Sequence, residues 1–244
     1  MRTDDPAPRR HPEQGGYARG ELTRARIVAA AIRAFGEEGY DQASTRKIAA
    51  SAGVNPPALQ YYFDSKEGLH RACAQDIIDR VLAILSPALE RAAVAARGRS
   101  AGAALDALCE LLEAMVDCLV AVGSQSWSRF IARGKADGAG PAMSMIHERI
   151  GAPLVDAMAR LIARVTRQPA AAEVTRIRVC TVLGQVSSLY ANRENTLAVI
   201  GWSQFDARGL ALIKSVVREH TRAAFAASVA GHVGAGRARK PARG

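Results

Sequence analysis

The residue types in this chain best suited to chemistry lie between positions 44 and 70, in STRKIAASAGVNPPALQYYFDSKEGLH, and the chemistry they suit is recognition rather than reaction. Gln60 carries an amide that can hydrogen-bond a base edge or a phosphate. Tyr61 carries a phenol that can pack on a thymine methyl or bond a phosphate. Pro56, Pro57, Gln60 and Tyr61 fall on one side of a short helical segment, and Leu59, Tyr62 and Phe63 fall on the other. A short helix with a polar, aromatic outer face suits the major groove, which is wide enough for one α-helix.

Reactive constellations fail by one residue or more. His147-Glu148 begins an HExxH pattern, but position 151 is Gly, so no zinc pair can form. Glu67 and His70 have the spacing of a di-iron bundle motif, which requires a second copy that the chain lacks. GSQSW at 123–127 only approaches a nucleophile elbow, and there is no P-loop and no GxGxxG. The expectation is a protein that is not an enzyme, with no catalytic residue, metal or cofactor.

The elements that must position residues 44–70 are helical. A first helix is expected over about 20–38, with Ile27, Ala31, Ala34 and Phe35 on one face and Gly39 ending it. Ser44 is a good N-cap for a second helix carrying Ile48, Ala49 and Ala52 inward, and Gly53 stops it. Asn55 caps a third, with Pro56 at the first helical position, where its missing N–H costs nothing. Helix, glycine turn and helix make a helix-turn-helix. Asp64, with Glu67 three residues on, is expected to open a fourth helix to about Leu85, which Pro87 kinks or splits. Further helices are expected over about 126–133, 142–165, 171–191 and 206–228, with an apolar stripe from Leu105 to Leu119 before them.

With 244 residues, 49% hydrophobic, 23% charged and 5% aromatic, the composition is globular and helix-leaning. No apolar run is long enough for a membrane span, and no secretory signal opens the chain, so a cytoplasmic protein without a membrane partner is expected. Cys73, Cys109, Cys118 and Cys180 have neither CxxC nor regular spacing, which predicts buried free thiols. The net charge of +10 favours an anionic partner but forms no dense basic block, so pattern has to decide. The expected organisation is a flexible arm over 1–18, a DNA-binding unit over 19–66, a larger helical domain over 67–228 and a flexible basic tail over 229–244. Arg9, Arg10 and Arg19 could enter a minor groove or belong to a plain tail.

The elements ending AFGEEGYDQAS, then TRKIAASAGV, then LQYYFDSKEGL resemble the tetracycline-repressor (TetR) family of bacterial regulators. ALQYYFDSKEGLHRACAQDI, SRFIARG, MIHERIGAPL and GWSQFD are similar to its CecR/YbiH-like branch. The resemblance implies an all-α fold, with a three-helix DNA-binding domain before a ligand-binding and dimerisation domain. It implies phosphate or base contacts from Thr45 and Arg46, and a recognition surface of Asn55, Pro56, Pro57, Ala58, Gln60 and Tyr61. It places Tyr62 and Lys66 at phosphate contacts, although Tyr62 and Phe63 equally suit a core.

The resemblance also implies a homodimer, a double-stranded DNA operator and a small-molecule effector, together a ligand-responsive repressor released from a palindrome. It assigns dimerisation to the last two long helices, where Gly184, Ser187, Ser188 and Ala191 permit close packing and Leu210, Ile213, Val217 and Phe225 form a stripe. The alternative is packing within one subunit. Candidate cavity residues are Met115, Trp127, Phe130, His147, Met158 and Tyr190, each of which could instead be plain core. A helical binding protein with a vestigial DNA module is the competing functional reading.

Overall fold

The computed structural model describes residues 13–121, 124–138, 140–191 and 193–237, with side chains from Ala18 to Ala230 except Ser124 and Tyr190. Arg9, Arg10 and residues 238–244 of the basic tail therefore lie outside the described residues. Helix α1 spans Glu13–Glu38, α2 Thr45–Ser51, α3 Pro56–Phe63 and α4 Lys66–Arg97. Helix α5 spans Ala101–Asp117, α6 Ser124–Ala136, α7 Pro141–Ile146 and α8 Ala152–Thr166. Helix α9 spans Glu173–Ala191, α10 Arg193–Ile200 and α11 Ala207–Arg237. Among the described residues there is no strand, and no helix is long and apolar enough to cross a membrane.

Local chemistry sets the boundaries of the first helices. The Asn55 side chain accepts the Ala58 N–H at 3.0 Å, and Pro56 occupies the first turn of α3. Gly53, at φ 67°, makes the left-handed turn between α2 and α3. The cap of α4 differs from expectation. Ser65, not Asp64, accepts the Gly68 N–H at 3.0 Å, while Asp64 ends α3 at φ 57°. Glu67 is then free to pair with Arg71 one turn on, at 2.8 Å.

Helix α4 does not stop at Leu85 but passes through Pro87 to Arg97. Pro87 is exposed, and Leu85, Ala88 and Ala92 beside it are buried. Their burial holds the axis together across the one helical hydrogen bond that proline removes. The helix expected over 142–165 is interrupted by a π turn at His147–Gly151. The last helix continues past Ser228 to Arg237, and the first begins at Glu13 rather than near Gly20, inside the expected arm.

Two apolar cores share α4. One joins α1, α2, α3 and the first half of α4 with Trp127 and Phe130 of α6 and Met143 and Ile146 of α7. The other joins Leu85, Ala88 and Ala92 of α4 with α5, α8, α9 and α11. Helix α6 thus packs on α1, not only within the larger domain. Cys73, Cys109 and Cys118 are buried free thiols, whereas Cys180, expected buried with them, is exposed on α9. Burial pushes the Cys109 thiol up and the Cys73 thiol well above its ordinary range.

A Cβ on Gly68 would collide with the Phe63 backbone carbonyl, so the α3–α4 corner closes only around glycine. Gly68→Ala is expected to cost about 1–3 kcal/mol of unfolding free energy in urea. An unchanged midpoint would show that the corner relaxes freely.

Candidate nucleic-acid interface and effector cavity

Helix α3 buries Leu59 and Phe63 and turns the opposite side outward. Arg46, Asn55, Pro56, Pro57, Gln60 and Tyr61 are exposed, Tyr61 by 83% although it is a large aromatic. An aromatic held that far out of a core is available to a partner. Thr45, Ala58, Tyr62 and Lys66 are half-buried. Tyr62 packs between Tyr61, 5.3 Å away, and Phe63, 6.2 Å away.

Several of these side chains already have local partners. The Asn55 Oδ1 is used by the cap, and the Gln60 Nε2 donates to the Asp64 carbonyl. The Lys66 Nζ donates to the Asp41 carbonyl at 3.1 Å and lies over the Tyr40 ring at 4.9 Å. Lys66 thereby ties the start of α4 to the α1–α2 turn. Arg46 makes no ion pair among the described residues, whereas Lys47 faces Glu38 at 3.9 Å. Arg24, stacked over Phe63 at 5.4 Å, and Arg26, beside Gly53, add positive charge to this side from α1. The sequence reading missed both, because a cation on the outer face of an amphipathic helix carries no sign of which neighbour it will meet.

The joint between this unit and α6 is aromatic. His70 of α4 sits 4.8 Å from the rings of Phe35, Tyr40 and Phe130. Burial, and then the nearby Lys66 charge, lower the His70 pKa from 6.5 to about 4. The Asp137 carboxylate accepts the Tyr40 backbone N–H at 3.2 Å and pairs with Arg133 at 3.4 Å. A Cβ on Gly36 would stand 3.0 Å from the Phe130 amide nitrogen and 3.2 Å from the Arg129 Cβ, so α1 and α6 approach backbone to backbone.

On the other side of α6 lies a cavity of about 890 Å³. Its apolar wall comes from Ile77, Val81 and Leu85 of α4, Met115 of α5, Trp127 and Ile131 of α6, and Leu154 of α8. Arg129 and Lys135 of α6 and Arg193 and Glu194 of α10 supply its charged rim. Of the six expected cavity residues, Met115 and Trp127 line it. Phe130 is instead buried in the α1–α6 joint and Met158 in the second core. The π turn leaves His147 exposed, and the Tyr190 side chain lies outside the described residues. Helix α10 escaped the sequence reading because it has no buried residue and hence no apolar stripe.

The expected dimer residues divide into two groups. Gly184, Ser188 and Ala191 are exposed on α9, and Ala191 also borders the cavity. Leu210, Ile213 and Val217 are buried within the subunit's own second core. Ion pairs line the α5–α11 seam: Lys214 to Asp117 at 2.5 Å, Arg218 to Glu113 at 2.6 Å, and Arg222 to Asp106. The large apolar residues that these helices expose, among the described side chains, are Val174 and Ile177 on α9 and Leu212 and Val216 on α11.

A helix-turn-helix whose second helix has an exposed outer face, packed beside a larger helical domain with its own cavity, is the arrangement of a class of DNA-binding regulator. Residues 27–73 match the family model of bacterial regulatory proteins of the tetR family. Residues 104–228 match that of the C-terminal domain of the HTH-type transcriptional dual regulator CecR. The chain is 32% identical over 204 residues to the HTH-type transcriptional dual regulator CecR of Shigella flexneri, covering 83% of this chain and 91% of that one.

Among solved structures, the TetR family transcriptional regulator PfmR from Thermus thermophilus superposes with a TM-score of 0.56 at 17% identity, over 91% of this chain and 98% of that one. AibR in complex with isovaleryl coenzyme A and operator DNA superposes with a TM-score of 0.58 at 18% identity, over 80% and 96%. The chain belongs to the tetR family of bacterial regulatory proteins: it is a DNA-binding transcriptional regulator and not an enzyme.

The His70 environment has a consequence for stability. Its pKa is lower folded than unfolded, so the neutral form favours the fold. The contribution is fully present above pH 6.5 and is lost as pH falls toward about 4. His70→Leu is expected to flatten the decline of Tm between pH 6.5 and 4 relative to the natural chain. Parallel Tm curves for the two proteins would contradict this.

Proposed function

We propose that the protein is a homodimeric, ligand-responsive repressor that leaves a palindromic operator when a small molecule enters the α4–α6–α8 cavity. The observation that carries this reading is the position of α6. One of its faces lines the cavity and the other abuts α1, the first helix of the DNA-binding unit. Two recognition helices must meet half-sites roughly 34–36 Å apart, so a small rotation of each unit removes the match. Helix α4 offers a second route, because it contributes to both cores. An effector shifts DNA affinity only by its preference for one of the two arrangements, commonly about 1–3 kcal/mol.

Thr45, Arg46, Asn55, Pro56, Pro57, Ala58, Gln60, Tyr61, Tyr62 and Lys66 form the DNA face in this reading. Arg46 and Tyr61 are the most available of them, and Gln60 reads a base only after releasing the Asp64 carbonyl. The dimer surface is α9 with α11, through Gly184, Ser188, Val174, Ile177, Leu212 and Val216, in place of the buried Leu210, Ile213 and Val217. The working compartment is the cytoplasm, where the operator lies.

Selection of bound duplexes from a random library by purified protein tests the reading. A palindrome with two half-sites is expected. Arg46→Ala and Tyr61→Ala are each expected to weaken binding to it by about 1–3 kcal/mol. Recovery of no motif, with binding that simply fades as salt rises, would reduce the interaction to charge alone and favour a binding protein with a vestigial DNA module. The Shigella flexneri relative is called a dual regulator, so a reporter driven from the selected site is scored for activation as well as repression.

A further inference from the structure

The cavity lining is largely apolar and carries three cations. Arg129 and Lys135 project from α6 and Arg193 from α10, and Glu194 is the one acidic residue among the described lining. Arg193 is already committed: its guanidinium donates to the Leu119 carbonyl at 3.1 Å and lies over the Phe205 ring at 4.6 Å. Lys135 makes no ion pair among the described residues. Arg129 meets Glu194 at 3.4 Å, with the Glu194 side chain 83% exposed. So exposed and long a pair adds little to stability and gives way readily.

We propose that the cavity takes an anionic amphiphile whose head group replaces the Glu194 carboxylate on Arg129. The inference rests on the reading of this domain as the effector domain. Arg129 suits the role because its planar fork matches a carboxylate or phosphate in two parallel hydrogen bonds. The apolar body of the ligand lies against Ile77, Val81, Met115, Trp127 and Leu154. The volume, about 890 Å³, is in the range of sites that enclose most of a drug-sized molecule. Glu194 is a built-in competitor: it occupies the anion site when the cavity is empty. Arg129 is therefore the specificity-determining residue, and it stands where α6 meets α1 at Gly36.

The test uses the two tryptophans of the chain. Trp202→Phe leaves Trp127, in the cavity wall, as the fluorescent reporter. The full chain in that background is titrated with decanoate, decan-1-ol and decylammonium, which share one apolar body and differ in charge. Decanoate is expected to bind about ten-fold tighter than decanol, and decylammonium no tighter than decanol. Arg129→Gln is expected to keep decanol binding, which reports an intact cavity, and to bring decanoate within about two-fold of it. Glu194→Gln is expected to tighten decanoate a few-fold.

Equal binding of the three probes, no binding of any of them, or an undiminished decanoate preference in Arg129→Gln would overturn the proposal. Retention of the selected operator by the same protein, in any of these cases, would show that the DNA-binding reading survives.

Discussion

Helices α1 and α6 touch backbone to backbone at Gly36, and the proposed coupling of cavity and DNA face rests on that approach. A side chain larger than hydrogen at position 36 would press on the Phe130 amide and the Arg129 Cβ. Close-packed interiors transmit shifts rather than damp them. The aromatic cluster of Phe35, Tyr40, His70 and Phe130 closes over the same joint, and Asp137 fastens it to the turn after α1. The DNA-binding unit is thus held by α6 as well as by its own chain connection through α4.

The two ends of the molecule are built on different physics. The proposed DNA face is made by withholding burial: α3 commits Leu59 and Phe63 to the core and leaves Tyr61 in solvent. The cavity is made by withholding packing: α4, α5, α6 and α8 meet without filling the space between them. The second core compensates on its far side. Leu210, Ile213 and Val217 pack on α5 and α8, and three ion pairs run along the α5–α11 seam. On the cavity side, by contrast, α6 and α10 meet through the exposed Arg129–Glu194 pair.

The first three helices were legible in the sequence because their ends are written in side-chain chemistry. Ser44, Gly53, Asn55 and Pro56 mark boundaries by local hydrogen bonding and backbone preference, and the outer face of α3 followed from periodicity. Asp64 misled because a carboxylate and a hydroxyl one residue apart are both good caps, and only the left-handed turn at Asp64 selects Ser65. The stripe Leu210, Ile213, Val217 showed that one face of α11 is buried but not whether its own chain or a second copy buries it. Phe130 and Met158 lie in the filled cores, and residue type alone does not tell a cavity wall from a filled core. The cationic rim and α10 left no periodic signal. They become a site only when α6 and α10 meet in three dimensions.

The central claim is that one free energy links the cavity and the DNA face, and linkage makes that claim reciprocal. The most direct measurement is a pair of titrations on the same protein: decanoate affinity with and without saturating operator duplex, and operator affinity with and without saturating decanoate. The account predicts that each ligand weakens the other by the same factor, on the order of 5–150-fold. Decanoate binding that is equally tight on free and operator-bound protein would contradict it.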